Sequence, residues 1–357
     1  MDKARYHKNL DRFSTNSFLE NKNYPKRYCY ILTNLCNLAC TFCFQERKKQ
    51  DGAMTYKDWV RLTDELPKNS RVTLTGGEPL AFKEFREIFD HVVSKFECNI
   101  ITNGLLLNEE LIDFMLQYKN LKVLSISIDN RKNTIRKSAN VQETKWDEKW
   151  IHVEKMMHYF QKIKKQSNNK ECVLDAKTVI LDENASDLLD IHKYCVDELN
   201  CDTHAFQFLK GSPIQHADIM FDLKKIFEKS KAYVYKNWDI IVDQLKQVRD
   251  YNLKNKKFGA LHPAVTSIME NDMVDISHLN NANYDKNLFK ACAAPWGSVH
   301  INVDGTLFPC LAINLGNVKD GLKKIIYGER YLEFKNIIKK NGTVEACNRC
   351  GWLKPLN

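Results

Sequence analysis

The stretch Tyr28-Cys-Tyr-Ile-Leu-Thr33-Asn-Leu-Cys36-Asn-Leu-Ala-Cys40-Thr-Phe42-Cys43 joins an apolar, β-prone run to three closely spaced cysteines. Tyr28–Thr33 reads as a strand, a short continuous apolar run of the kind that helices cover on both faces. The cysteines follow it in a C-x3-C-x2-C pattern, which places them on the loop at the strand's C-terminal end. Three thiolates this close on one loop can hold three corners of a [4Fe–4S] cube and leave the fourth iron open to a small molecule. Zinc is the other chemistry the spacing allows, although zinc loops usually bring C-x2-C pairs in twos.

Working outward, β-rich runs alternate with helical patterns through about residue 210. Strands are predicted at Tyr28–Thr33, Arg71–Thr75, Asn99–Thr102, Val123–Ile128, Val173–Ile180 and Ala205–Leu209. Helical periodicity fills the gaps at Tyr56–Glu65, Phe82–Lys95, Asn108–Gln117, Lys149–Lys164 and Ala185–Leu199. That alternation predicts a mainly parallel α/β sheet built from right-handed βαβ units. Gly76–Gly77 and Asn103–Gly104 directly follow two of the strands, at the edge where parallel sheets place ligands.

The bulk composition agrees with a soluble protein. The hydrophobic fraction of 43% can build a core. The net charge of +9 suits an anionic substrate or an acidic electron donor, and equally a lysine-rich surface. No Arg/Lys block interleaved with aromatics marks a nucleic-acid surface. The N-terminus has no apolar run of signal-peptide length, and no segment has the span of a membrane helix. A cytoplasmic location is therefore expected. Twelve cysteines in a reducing compartment point to metal ligation or catalysis rather than disulfides.

The sequence resembles the radical S-adenosylmethionine (SAM) superfamily at the triad and at Phe42, just ahead of its third cysteine. Thr75-Gly76-Gly77-Glu78-Pro79-Leu80, after the second strand, looks like that family's GGE motif. Two glycines let backbone approach a ligand and leave its polar groups free, and Glu78 can hydrogen-bond an ammonium such as the one SAM carries. Ile101-Thr102-Asn103-Gly104 and Ser125-Ile126-Ser127-Ile128-Asp129 resemble further SAM-contacting segments, which makes Asn103, Ser127 and Asp129 candidates. Either Arg131 or Arg136 could meet the SAM carboxylate; the spacing does not choose between them. The resemblance covers about residues 25–210 and implies a partial (β/α)6 barrel. It also implies the family's chemistry, in which a 5′-deoxyadenosyl radical takes a hydrogen atom from substrate.

Cys292, Cys310, Cys347 and Cys350 form C-x17-C-x36-C-x2-C, enough to close a coordination sphere around zinc or a second [4Fe–4S] cluster. Val299–Val303 and Thr306–Phe308 read as a hairpin turning at Asp304–Gly305, and Leu322–Lys340 as a helix leading to the last pair. "I-x-V-D-G-x-L-x-P-C" resembles the auxiliary-cluster extensions called SPASM and twitch domains, and the spacing looks like the shorter twitch form. Four cysteines would ligate the cluster fully and favour electron transfer. The remaining cysteines, 29, 98, 172, 195 and 201, read as small buried apolar residues.

The expected organisation is an N-terminal extension (1–24), a partial barrel (25–215), a helical connector (216–290) and an auxiliary cluster domain (291–357). The expected function is SAM cleavage followed by oxidation or modification of a peptide or protein side chain. A sugar- or cyclitol-like alcohol is the other substrate class, and a flavodoxin- or ferredoxin-type protein the electron donor. A non-catalytic metal-binding or electron-transfer protein is the competing reading. It requires zinc or a blocked fourth iron and leaves Gly76–Pro79 a coincidence.

Overall fold

The computed structural model describes residues 24–43, 45, 51–137, 142–209, 219–228, 234–255, 259–261, 279–280 and 285–353. The expected N-terminal extension and most of 256–290 lie outside the described residues.

The predicted strands form: β1 (Arg27–Ile31), β2 (Arg71–Thr75), β3 (Glu97–Thr102), β4 (Leu121–Ser127), β5 (Val173–Ile180) and β6 (Thr203–Phe208). Helices α1 (Tyr56–Asp64), α2 (Phe85–Val93), α3 (Glu109–Leu116), α4 (Glu143–Gln166) and α5 (Leu188–Lys193) connect them. Local chemistry fixes the helix starts. Thr55 and Asp58 form a reciprocal capping box on α1, and the Asn108 side chain accepts the Leu111 N–H at the head of α3. The predicted Ala185–Leu199 helix is interrupted, because the chain passes into a π turn at Tyr194–Glu198 after α5.

Beyond the barrel strands lie α6 (Trp238–Asn255), β7 (Gly259–Leu261), β8 (Ser298–Ile301), β9 (Thr306–Phe308) and β10 (Gly316–Asn317). The predicted C-terminal helix is two, α7 (Leu322–Ile326) and α8 (Glu329–Asn341), separated by Tyr327–Gly328. One sheet holds every strand in the order β10-β9-β8-β1-β2-β3-β4-β5-β6-β7. Pairing is parallel from β8 through β7, and only β8–β9 and β9–β10 are antiparallel. The hairpin is thus hydrogen-bonded beside β1, with Cys29 opposite His300.

The two faces of the sheet differ. Tyr28, Leu74, Ile100, Leu124, Ala176 and Phe206 pack against the helices in the main core and are fully or almost fully buried. On the other face the burial alternation is reversed in β3, β5 and β6, so Ile101, Lys177, Val179 and Gln207 keep access to solvent. Mid-strand residues covered by helices on one side can be wetted only from the other. The barrel therefore has an open lumen.

Candidate active site

The cysteine loop leaves β1 and is held to the end of β2 at backbone distance. Gly77 N–H donates to Thr33 O (2.6 Å) and Glu78 N–H to Leu35 O (2.9 Å). A Cβ at Gly76 would lie 2.3 Å from Thr33 O, and one at Gly77 would lie 2.3 Å from Leu35 O. The two glycines admit the chain's own cysteine loop, and the Gly77 amide is spent on it. Close approach of the two loops needs glycine here, and the Gly77 amide serves that packing.

Glu78 is fully buried and turned inward. Its carboxyl accepts Thr102 Oγ1–H (2.7 Å), Asn103 N–H (2.8 Å) and Leu80 N–H (3.1 Å), which ties the ends of β2 and β3 together. Burial pushes its pKa up to about 7 against those donors. Asn103 continues the tie: its Nδ2 donates to Asn37 Oδ1 (2.7 Å) on the cysteine loop and lies 3.8 Å from Cys36 Sγ.

The cysteines themselves are walled by apolar groups. Cys36, Phe42, Cys43 and Leu105 pack against a buried cluster of Leu38, Cys40 and Trp146. Burial raises the Cys40 thiol, opposed by the Arg136 guanidinium, and raises Cys36 to about 11. Arg136 sits 4.0 Å from Cys40 Sγ, 5.3 Å from the Phe42 ring centre and 2.5 Å from Asp129 Oδ2. Asp129 is fully buried and also accepts Val179 N–H (2.7 Å). Its place is thus a buried ion pair at the cysteine loop. Arg131 instead reaches Glu198 (2.7 Å) on the outer surface. The structure separates two arginines that spacing alone could not. Ser127, next to Lys177 in register on the lumen face, is half-buried, and its carbonyl accepts Asn133 Nδ2–H.

Three sulfurs on one loop, lined by Phe42, Leu105 and Trp146 and with the Arg136 cation 4.0 Å from Cys40 to favour thiolate, are a donor set that fits a cluster. Among the described residues no group of three or more His, Cys, Asp or Glu is gathered as for a single ion. A cube gives each thiolate its own iron, so its cysteines need not converge on one point.

In the C-terminal part, Cys310 directly follows β9 and Pro309, and Cys347–Cys350 closes a turn through Cys350 N–H to Cys347 O (2.9 Å). Cys292 N–H donates to Gly342 O (2.9 Å), which brings the first cysteine to the segment carrying the last two. Tyr331 of α8 bonds the Pro295 carbonyl, and burial, with Cys310 nearby, pushes its phenol up. Lys335, one turn on, is buried with its ammonium 4.0 Å from the Tyr331 ring centre; no sequence signal singled it out. The other five cysteines are all buried.

An α/β partial barrel with a three-cysteine loop locked to a Gly-Gly turn beneath an open lumen is the frame of an iron–sulfur enzyme that acts on a small cofactor. The radical SAM superfamily model matches residues 30–195, and the SPASM iron–sulfur cluster-binding domain model matches 292–351. The chain belongs to the radical SAM superfamily and carries a C-terminal SPASM domain. Its cofactors are accordingly SAM, a SAM-binding [4Fe–4S] cluster and an auxiliary cluster. The chain is similar to the antilisterial bacteriocin subtilosin biosynthesis protein AlbA of Bacillus subtilis, with 30% identity over 118 residues (32% of this chain, 26% of AlbA). It is 21% identical to the radical SAM cyclopropyl synthase TigE of Paramaledivibacter caminithermalis over 361 residues, 90% of this chain and 66% of TigE. The chain thus spans less than two thirds of these relatives' lengths. Streptococcus suis SuiB, solved bound to its precursor peptide SuiA, shares the fold with a TM-score of 0.61 at 16% identity (98% of this chain, 74% of SuiB). Among the described residues no helix is long and apolar enough to cross a membrane.

Proposed function

We propose that this radical SAM enzyme oxidises or otherwise modifies a peptide or protein side chain by hydrogen-atom abstraction, and that an auxiliary cluster, when held by the C-terminal cysteines, would supply electron transfer. The observation that carries the SAM site is the cysteine loop fastened to Gly76–Gly77 at the mouth of a wetted lumen. Cys36, Cys40 and Cys43 would hold the first cluster, and Cys292, Cys310, Cys347 and Cys350 would hold the auxiliary one. When bound, the first cluster and SAM supply the reductive cleavage that yields the deoxyadenosyl radical.

The chain's own residues position and shield that chemistry. Glu78 and Asn103 set the cysteine loop against β2 and β3, and the Asp129–Arg136 pair braces it from the β4 side. Phe42, Leu105 and Trp146 pack beside the cysteines and narrow water's access to them. Ser127 offers a hydroxyl toward the lumen for SAM's ribose or carboxylate, and Lys177 and Gln207 are polar groups for the substrate. A peptide substrate is supported by relatives named for bacteriocin biosynthesis and precursor-peptide binding. A flavodoxin- or ferredoxin-type protein is the proposed reductant.

The test is anaerobic reconstitution, addition of SAM and dithionite, and mass spectrometry for 5′-deoxyadenosine with iron and zinc counted on the same sample. About eight irons per chain, two cubes, with deoxyadenosine are expected. Zinc at the triad with no SAM cleavage refutes the reading. Precursor peptides encoded beside the gene are then screened for loss of hydrogen mass, and turnover of an alcohol with every peptide unchanged overturns the peptide half.

A further inference from the structure

Arg349 lies between the last two cysteines, and its surroundings give it a task beyond spacing them. Its backbone is left-handed (φ 57°), a strained conformation that non-glycine residues rarely adopt. Such strain persists where surrounding contacts over-determine it. Here the contacts are a buried guanidinium spread over three segments. Nε donates to Leu279 O (2.6 Å), Nη1 to Leu209 O (3.2 Å) and Nη2 to Asn280 Oδ1 (3.1 Å), and the group lies 4.8 Å from the Tyr235 ring centre. Tyr235 and Asn280 are bonded to each other twice: Tyr235 N–H donates to Asn280 Oδ1, and Asn280 Nδ2–H to Tyr235 O, each at 2.9 Å. The Tyr235 hydroxyl in turn accepts Leu209 N–H (2.7 Å) and donates to Ile180 O (2.9 Å). It therefore bridges the C-terminal ends of β5 and β6, the two strands that carry Lys177 and Gln207 into the lumen.

We propose that Arg349 is a positioning residue that fixes the Cys347–Cys350 turn to the ends of β5 and β6. Loading of the auxiliary site and ordering of the strand ends on that side of the lumen are thereby coupled. The proposal rests on the auxiliary cluster being held by this cysteine pair. A planar fork that meets carbonyls of two segments and the ring of a third at once is needed for this; lysine keeps the charge but not the geometry.

The test uses the full chain with Cys36, Cys40 and Cys43 replaced by alanine, so that only the auxiliary cluster contributes iron. Hydrogen–deuterium exchange of the Leu209 and Tyr235 amides, and the electron paramagnetic resonance of the reduced cluster, are compared for that parent, Arg349→Gln and Arg349→Lys. Chelating the iron from the parent, or making either substitution in the loaded chain, is expected to speed both amides at least about tenfold. The amides of β1–β3 stay slow, and the cluster signal changes in both variants. Unchanged exchange in loaded Arg349→Gln, or rescue by Arg349→Lys, overturns the proposal. So does a parent whose exchange is indifferent to iron, or acceleration that spreads to β1–β3 and marks a purely structural role. A parent that binds no iron removes the auxiliary-site assignment itself, an outcome distinguishable from the others.

Discussion

Gly77→Ala is the sharpest test of how the cysteine loop is held. The new methyl would lie 2.3 Å from Leu35 O, 2.7 Å from Asn34 O and 2.7 Å from the Leu35 carbonyl carbon, whereas ordinary contact begins at 3.4 Å. All three are backbone atoms, so no side chain can swing aside and the loop must retreat by about 1 Å. Retreat opens the Gly77–Thr33 and Glu78–Leu35 bonds. Two buried hydrogen bonds at about 1 kcal/mol each, with about 1–3 kcal/mol of overpacking, give a local cost of about 3–5 kcal/mol. Cys36 is the next residue along the displaced loop, and a shift of that size costs about 100-fold in a reaction that depends on alignment. The assay is deoxyadenosine formation with dithionite, beside the melting temperature and iron count. Gly321→Ala is the control: its Cβ meets open space and carries only the strain of φ +100°, so SAM cleavage should persist. A Gly77→Ala chain that melts like the wild type and cleaves SAM within about a factor of two would refute the reasoning.

Asp129→Asn strands the Arg136 guanidinium without its buried counter-charge and should cost about 3–5 kcal/mol in urea denaturation, whereas Arg131→Ala, which breaks an exposed pair, should cost at most about 1 kcal/mol. Because burial raises the Glu78 pKa from 4.5 to about 7, its contribution to metal-free stability is full below pH 4.5 and declines as pH rises through about 7. Glu78→Gln should flatten that slope, and parallel pH–stability curves for the two chains would contradict it. Lys335 is buried with an aromatic ring beside its ammonium, and burial lowers its pKa to about 8. Lys335→Met should raise stability at pH 7 by about 1–3 kcal/mol, measured by thermal melting of the metal-free chain.

The sequence made the barrel strands legible because each is a short β-prone segment rich in apolar and β-branched residues, and the starts of β2 and β5 fall where the patterns place them. Helix ends were less legible. The expected helix after Ala185 becomes a short α segment and a π turn, a backbone choice that side-chain periodicity does not encode. The place of the hairpin was illegible for a different reason. Pairing of Arg27–Tyr30 with Ser298–Ile301 joins segments more than 260 residues apart, and alternation within a strand carries no information about its partner. At the site, residue type announced the cysteines, Gly76–Gly77 and Glu78. It did not announce that Glu78 would face inward, which depends on the ends of β2 and β3 meeting, nor that Arg136 rather than Arg131 would reach Cys40, which depends on the 3-10 turns at Arg131–Arg136.

The two cysteine sets differ in how much of their geometry the chain supplies before iron arrives. The triad lies within eight residues of one loop, which is stapled to β2 by two backbone bonds and to β3 through Glu78 and Asn103. Ordering it requires only that the barrel fold. The second set is drawn from three segments, before β8, after β9 and beyond α8, and each must reach its place independently. The Cys292–Gly342 bond, the Tyr331 hydroxyl on the Pro295 carbonyl and the Arg349 fork are among the contacts that tie those segments together or to the barrel. A site gathered from distant segments draws more of its order from the metal it binds than one preformed on a single loop. Iron should therefore stabilise the C-terminal part more than the barrel. Chelation should free the amides around Leu209 and Tyr235 well before those of β1 to β3.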